Sequence, residues 1–159
     1  MNAVALLVCA SLWMSSVGCS SIRRSVQFEK ADAIVIPYEE GWAGRPVVKG
    51  SINGVEGKFL IDTGATDPIL TMRAVRECGL AVSPVTRRQG FVGDEIPREF
   101  RTVDSDVKVE LEKAIITWGH PPVVVGVGSE LWFGIIDYRT LKASHAVINV
   151  KDKTLTISP

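Results

Sequence analysis

Asn53-Gly54 is the feature that most constrains how this chain can fold. The dipeptide lies between the runs Arg45-Pro46-Val47-Val48-Lys49-Gly50-Ser51-Ile52 and Gly57-Lys58-Phe59-Leu60-Ile61. A two-residue reversal between antiparallel strands needs positive φ at both central positions, and Asn-Gly tolerates that better than almost any other pair. The sequence therefore predicts a hairpin with strands over 45–52 and 57–61. The return strand ends at Asp62-Thr63-Gly64, where its apolar character stops.

Most of the remaining signals are strand signals. Val107-Lys108-Val109-Glu110-Leu111 alternates apolar and polar residues, as a half-buried strand does. Val123-Val124-Val125 is a β-branched run suited to a buried strand. Ala146–Val150 and Thr154–Ile157, joined by Lys151-Asp152-Lys153, read as a closing hairpin. Two short helices are expected. One covers Thr71–Cys78 and is closed by Gly79 in the left-handed position after its end. The other runs from Tyr138 to Ser144. The fold class is thus mainly β with one or two short helices, in a single domain over 34–159. A chain of 159 residues fits one domain. Residues 19–33 are polar and mixed in charge, and are expected to form a tether or loosely packed arm.

The N-terminus reads as a targeting segment over 1–18. Residues 3–14 form an apolar block too short to span a bilayer comfortably. Ser15, Ser16, Val17 and Gly18 follow, then Cys19. This resembles a bacterial lipoprotein signal, in which the cysteine becomes the acylated N-terminus. Gly18 matches that pattern. Ser16 departs from it, and so does the absence of Lys or Arg before the apolar block. The resemblance implies export to the cell envelope, with membrane attachment through a lipidated Cys19. A plain secretory signal and a cytosolic chain are the alternatives. Lipoprotein processing would remove Cys9 and acylate Cys19, leaving Cys78 alone, so no intramolecular disulfide is expected.

Charge and side-chain chemistry exclude several functions. Eighteen basic residues balance eighteen acidic ones, and no basic stripe appears, so nucleic acid is not an expected partner. Arg87-Arg88 is too short to change that. The three cysteines show no CxxC spacing and no histidine cluster, so no metal site and no cofactor are expected. His120 precedes Pro121-Pro122 and reads as a loop residue. His145 reads as a helix-end or surface residue rather than a catalytic one.

The chemistry rests on Asp62-Thr63-Gly64-Ala65. Two large apolar residues precede the aspartate, and a hairpin precedes the whole. Ile69-Leu70 follows. About 70 residues on come Gly134-Ile135-Ile136-Asp137-Tyr138-Arg139-Thr140-Leu141, then Ala146-Val147-Ile148-Asn149 and Lys153-Thr154-Leu155-Thr156-Ile157. In order and spacing these segments, over roughly 45–157, resemble the retropepsin-like aspartic proteases. Two positions depart from that family. Asp137 stands where a glycine is usual, and Arg139 where an aspartate is usual. A second register, with Trp132-Phe133-Gly134 as the apolar-apolar-glycine element, fits the spacing to Val147 less well.

The resemblance implies a closed or partly open β-barrel and an aspartic endopeptidase acting on protein or peptide substrates. Asp62 would be the catalytic carboxylate, with Thr63 bracing the loop and Gly64 allowing close backbone approach. Ala65, Asp67 and Gly93 would line the substrate groove, and Ile135, Ile136 and Asp137 would form the supporting loop. Because the chain holds one Asp-Thr-Gly, the active site would be completed by a homodimer. Residues 86–101, with Gly90 and Gly93, are the flap candidate, and an ordinary surface loop is the other reading of that segment. The competing function is a catalytically weak or inactive binding or structural lipoprotein of the same fold. A tethered envelope factor with Asp62 in a simple turn is a third possibility.

Overall fold

The computed structural model describes residues 22–84, 87–89, 98–125 and 131–159. The signal segment, Cys19 and the start of the expected tether lie outside these residues. The hairpin forms as the sequence predicts. Strand β4 (Pro46–Ile52) pairs with β5 (Val55–Asp62), and Ile52 faces Val55 across the reversal. Asn53 and Gly54 have φ of 52° and 76°, the left-handed values that made this dipeptide diagnostic.

The expected arm is only partly an arm. Residues Arg24–Phe28 form β1, which runs antiparallel to β10 (Ala114–Trp118) over five register pairs. Val26 and Phe28 turn inward against the core while Ser25 and Gln27 face out. Next come β2 (Ile34–Pro37) and β3 (Glu39–Glu40), the latter pairing with the start of β4. After β5 the chain enters a turn and then β6 (Ile69–Thr71) and helix α1 (Met72–Glu77). Thr71 caps α1 by accepting the Ala74 amide, and Gly79 at φ 64° follows its end, with the Leu80 amide donating back to Val75 O. Strand β7 (Arg87–Gln89) pairs with β8 (Arg98–Thr102), and β9 (Val107–Leu111) pairs with β10. Strands β11 (Pro122–Val125) and β12 (Gly134–Asp137) lead to helix α2 (Tyr138–Ala143) and the closing hairpin of β13 (Val147–Asn149) and β14 (Thr154–Ile157).

The described strands make one large curled sheet in the order β1-β10-β9-β4-β5-β12-β6-β11-β8-β7, with β3 beside β4. A smaller sheet, β13-β14-β2, closes one side. This is the mainly β architecture with two short helices that the sequence implies. His145, at φ 43°, ends α2, and His120 lies in an exposed turn, so both histidines take the structural places expected of them.

One region is decisive for the site. Strand β12 inserts between β5 and β6, parallel to the first and antiparallel to the second. The segment from Asp62 to Ile69 must therefore pass over the end of β12. Insertion needs close backbone approach, which Gly134 permits. A Cβ there would stand 2.7 Å from Ile69 O and 2.9 Å from Leu70 Cδ2. Phe59 anchors the same region, with its ring edge-on to Trp118 (6.5 Å) and Phe133 (6.2 Å). All three rings are fully buried.

Candidate active site

Asp62 ends β5, and three buried residues, Phe59, Leu60 and Ile61, precede it. Their packing fixes where the strand stops and so where the carboxylate stands. The next residues turn back at once. The Ala65 amide donates to Asp62 O (3.2 Å), and the Gly64 amide donates to Asp62 Oδ1 (2.9 Å). The second bond gives the carboxylate one fixed orientation. A Cβ at Gly64 would lie 3.3 Å from that same oxygen, so the carboxylate would have to give by a few tenths of an ångström. The Asp62 side chain keeps about a quarter of its surface accessible (24%), so it is held but not sealed. Thr63 and Gly64 are exposed.

Asp62 Oδ2 has a neighbour that sequence reasoning missed. Arg45 Nη1 lies 3.3 Å from it. A signal for this contact was present. In the β4–β5 register Val47 faces Leu60, so two residues further out Arg45 comes opposite Asp62.

Strand β12 lies beside the strand that ends at Asp62. Gly134, Ile135, Ile136 and Asp137 face Phe59, Leu60, Ile61 and Asp62 in parallel register. The segment read from the sequence as a supporting loop is thus a strand, because Gly134 lets it pack directly between β5 and β6, and the chain turns away only at Tyr138. Ile136 and Asp137 are buried and Ile135 is partly so. The turn closes over the end of β12 through the Tyr138 amide, which donates to Ala65 O (2.9 Å). Asp137 caps α2, with its Oδ2 accepting the Arg139 amide (3.2 Å) and its Oδ1 the Thr140 hydroxyl. A glycine there would make neither bond.

The expected groove residues have different fates. Ala65 is partly buried and engaged through both backbone polar groups. Asp67 is partly exposed, with Oδ1 paired to Arg24 Nη2 (2.6 Å) and 3.7 Å from Arg139 Nη1. Gly93 lies outside the described residues, as do Gly90 and the rest of 90–97. The base of that segment is a hairpin, since Gln89 faces Arg98 in the β7–β8 pair.

Cys78 is not a competing nucleophile. Its burial, and secondarily the negative charge of Glu77, push the thiol above its ordinary range, so the reactive thiolate is disfavoured.

Comparison with known proteins agrees with this geometry. Residues 48–117 match the family described as "gag-polyprotein putative aspartyl protease". That stretch holds the β4–β5 hairpin and the Asp62 turn and stops before β12. A comparison with curated proteins returns no match. Among solved structures, the chain is similar to a retropepsin-like aspartic protease from Rickettsia conorii, at 22% identity and TM-score 0.50, over 86% of this chain and 94% of that one. It is also similar to the retroviral protease-like domain of Ddi1 from Leishmania major, at 28% identity and TM-score 0.51, over 71% of this chain and 89% of that one. The chain has the retropepsin-like fold, with Asp62 at the tip of the strand beside which β12 is inserted.

Proposed function

We propose that the chain is an aspartic endopeptidase whose active site is completed by a second copy. The observation that carries this reading is the Asp62 carboxylate. It ends a buried strand, the Gly64 amide orients it, and it remains partly accessible, in a fold shared with aspartic proteases.

Hydrolysing an amide without a metal needs a base to take a proton from water and an acid to protonate the leaving nitrogen. Two carboxylates at short range fill both roles, because like charges there cannot both ionise and the pair keeps one proton. The ionised member takes the proton of the attacking water, and the protonated member donates to the substrate. The chain offers one Asp-Thr-Gly, so the pair requires Asp62 from each of two copies. Thr63, at the exposed tip of the turn, would brace the two loops against each other. Two valines exposed among the described residues offer apolar surface to a second copy. Val147 and Val35 flank Thr156 in register on the outward face of the β13-β14-β2 sheet, and they are 61% and 59% exposed.

The test is cleavage of a mixed peptide library by purified protein and by its Asp62→Asn variant. The variant is expected to lose all cleavage, and equal cleavage by both would refute the reading. A second reading, a binding module of the same fold without activity, draws on Arg45. Its Nη1 lies 3.3 Å from Asp62 Oδ2, so that oxygen already has a partner within its own chain. A monomer at micromolar concentration with no pepstatin-sensitive activity would favour that reading.

The proposed setting is the cell envelope, with the protein anchored through an acylated Cys19. Cys19→Ala is expected to move the protein from the membrane fraction to the soluble one. Unchanged fractionation would rule out the lipid anchor.

A further inference from the structure

One charged cluster lies directly beneath the Asp62 turn and takes no part in the chemistry above. Its centre is Asp137, a fully buried carboxylate on the register position next to Asp62. Besides the α2 amide and the Thr140 hydroxyl, it accepts Arg24 Nε at 3.2 Å. Arg24 comes from β1, 113 residues earlier, and its side chain is only 8% exposed. The same guanidinium donates through Nη2 to Asp67 Oδ1 (2.6 Å) and to Thr66 O (3.1 Å), and through Nη1 to Ile22 O. Thr140 in turn accepts Trp118 Nε1 at 3.1 Å, which ties the cluster to the aromatic core.

A buried ion pair is weak evidence for stability, because desolvation offsets much of its Coulombic gain. What an arginine supplies here is geometry. Its planar fork fixes several acceptors at set angles, which a lysine ammonium on a flexible stem does not do. The acceptors are of two kinds. Thr66 and Asp67 belong to the outgoing limb of the Asp62 turn, and Asp137 belongs to the strand beneath it. The turn's other ties are the Gly64 and Ala65 amides to Asp62, the Tyr138 amide to Ala65, and two more exposed guanidinium contacts, Arg45 to Asp62 (3.3 Å) and Arg139 to Asp67 (3.7 Å).

We propose that Arg24 is a positioning residue for the Asp62 turn, and that Asp137 is the buried counter-charge that sets it in place. Arg24 clamps the limb at Thr66 and Asp67 onto the end of β12 and so fixes the direction of the Asp62 carboxylate. It touches no reacting atom. In its catalytic consequence the inference rests on the protease reading of Asp62. It also supplies a physical reason for an aspartate, rather than a glycine, at position 137.

The experiment compares full-length wild type with Arg24→Lys, which keeps the charge and loses the fork. Two quantities are read: kcat and KM on a cleaved peptide, and amide hydrogen exchange at Gly64, Ala65 and Tyr138. Arg24→Lys is expected to lower kcat about tenfold or more with little change in KM, since misplacing a reacting group acts on the chemical step. The three amides should exchange about tenfold faster while those of β4 and β9 hold. Lower thermal stability with kcat and the three amides unchanged would overturn the proposal, because that is the signature of a merely structural residue. Should Arg24→Lys fail to fold, Asp67→Asn weakens the turn-side contacts with Arg24 and the longer one with Arg139, and leaves the buried Arg24–Asp137 pair intact. It must then raise exchange at the same amides, or the clamp is refuted. A wild type that cleaves nothing defeats the protease reading alone, since the exchange comparison still decides whether Arg24 holds the turn.

Discussion

An equimolar mixture of wild-type and Asp62→Asn chains, allowed to exchange partners, should retain about a quarter of the activity of the same amount of wild type, because only dimers with two wild-type chains carry the full pair. Independent active sites would retain about half. The distinction follows from the placement of Asp62. Its carboxylate stands at the end of a strand in a chain that offers one such turn. Activity should therefore vary as the square of the wild-type fraction across a titration. A linear dependence would show that each chain is complete alone, and the dimeric mechanism would have to be abandoned.

Phe59→Ala is expected to cost about 3–5 kcal/mol of unfolding free energy, a large part of what a small domain possesses. Phe59 is fully buried three residues before Asp62. Its ring meets Trp118 on one side and Phe133 on the other, both edge-on. Cross-strand it faces Val48 on β4 and Gly134 on β12. Truncation removes a side chain that joins the hairpin to Trp118 on β10 and to Phe133 just before the inserted strand, and leaves a cavity between those rings. Denaturant unfolding reads the cost directly. Lys108→Ala, on the exposed side of β9, serves as the control and should change stability by no more than about 0.5 kcal/mol. If both substitutions shift the midpoint equally, Phe59 does not organise the core.

Much of this fold was legible because its signals are local. Asn53-Gly54 and Gly79 each state their own conformation, and the structure places a reversal and a helix end there. The parts that were not legible lack local marks. The β9–β10 turn is Glu112-Lys113, with Glu112 at φ 51°, and neither residue signals a reversal. Strand β1 did show period-two alternation at Val26 and Phe28, but Arg24 occupies the same inward face and makes the segment look like a polar arm. Its acceptors lie 43 and 113 residues away, so only the folded chain shows why an arginine belongs there. Arg45 is an intermediate case. The hairpin register alone would have placed it opposite Asp62.

Strand β1 also acts as a ruler. Arg24, fastened to the Asp62 turn, is five residues from Cys19, and five extended residues span at most about 18 Å. A protein acylated at Cys19 would thus hold its cleft close against the lipid headgroups. Such an enzyme would favour chains already lying along the bilayer, such as the stubs and juxtamembrane stalks of other envelope proteins. Large folded proteins in free solution would be turned away by the membrane itself, before any pocket had read their side chains.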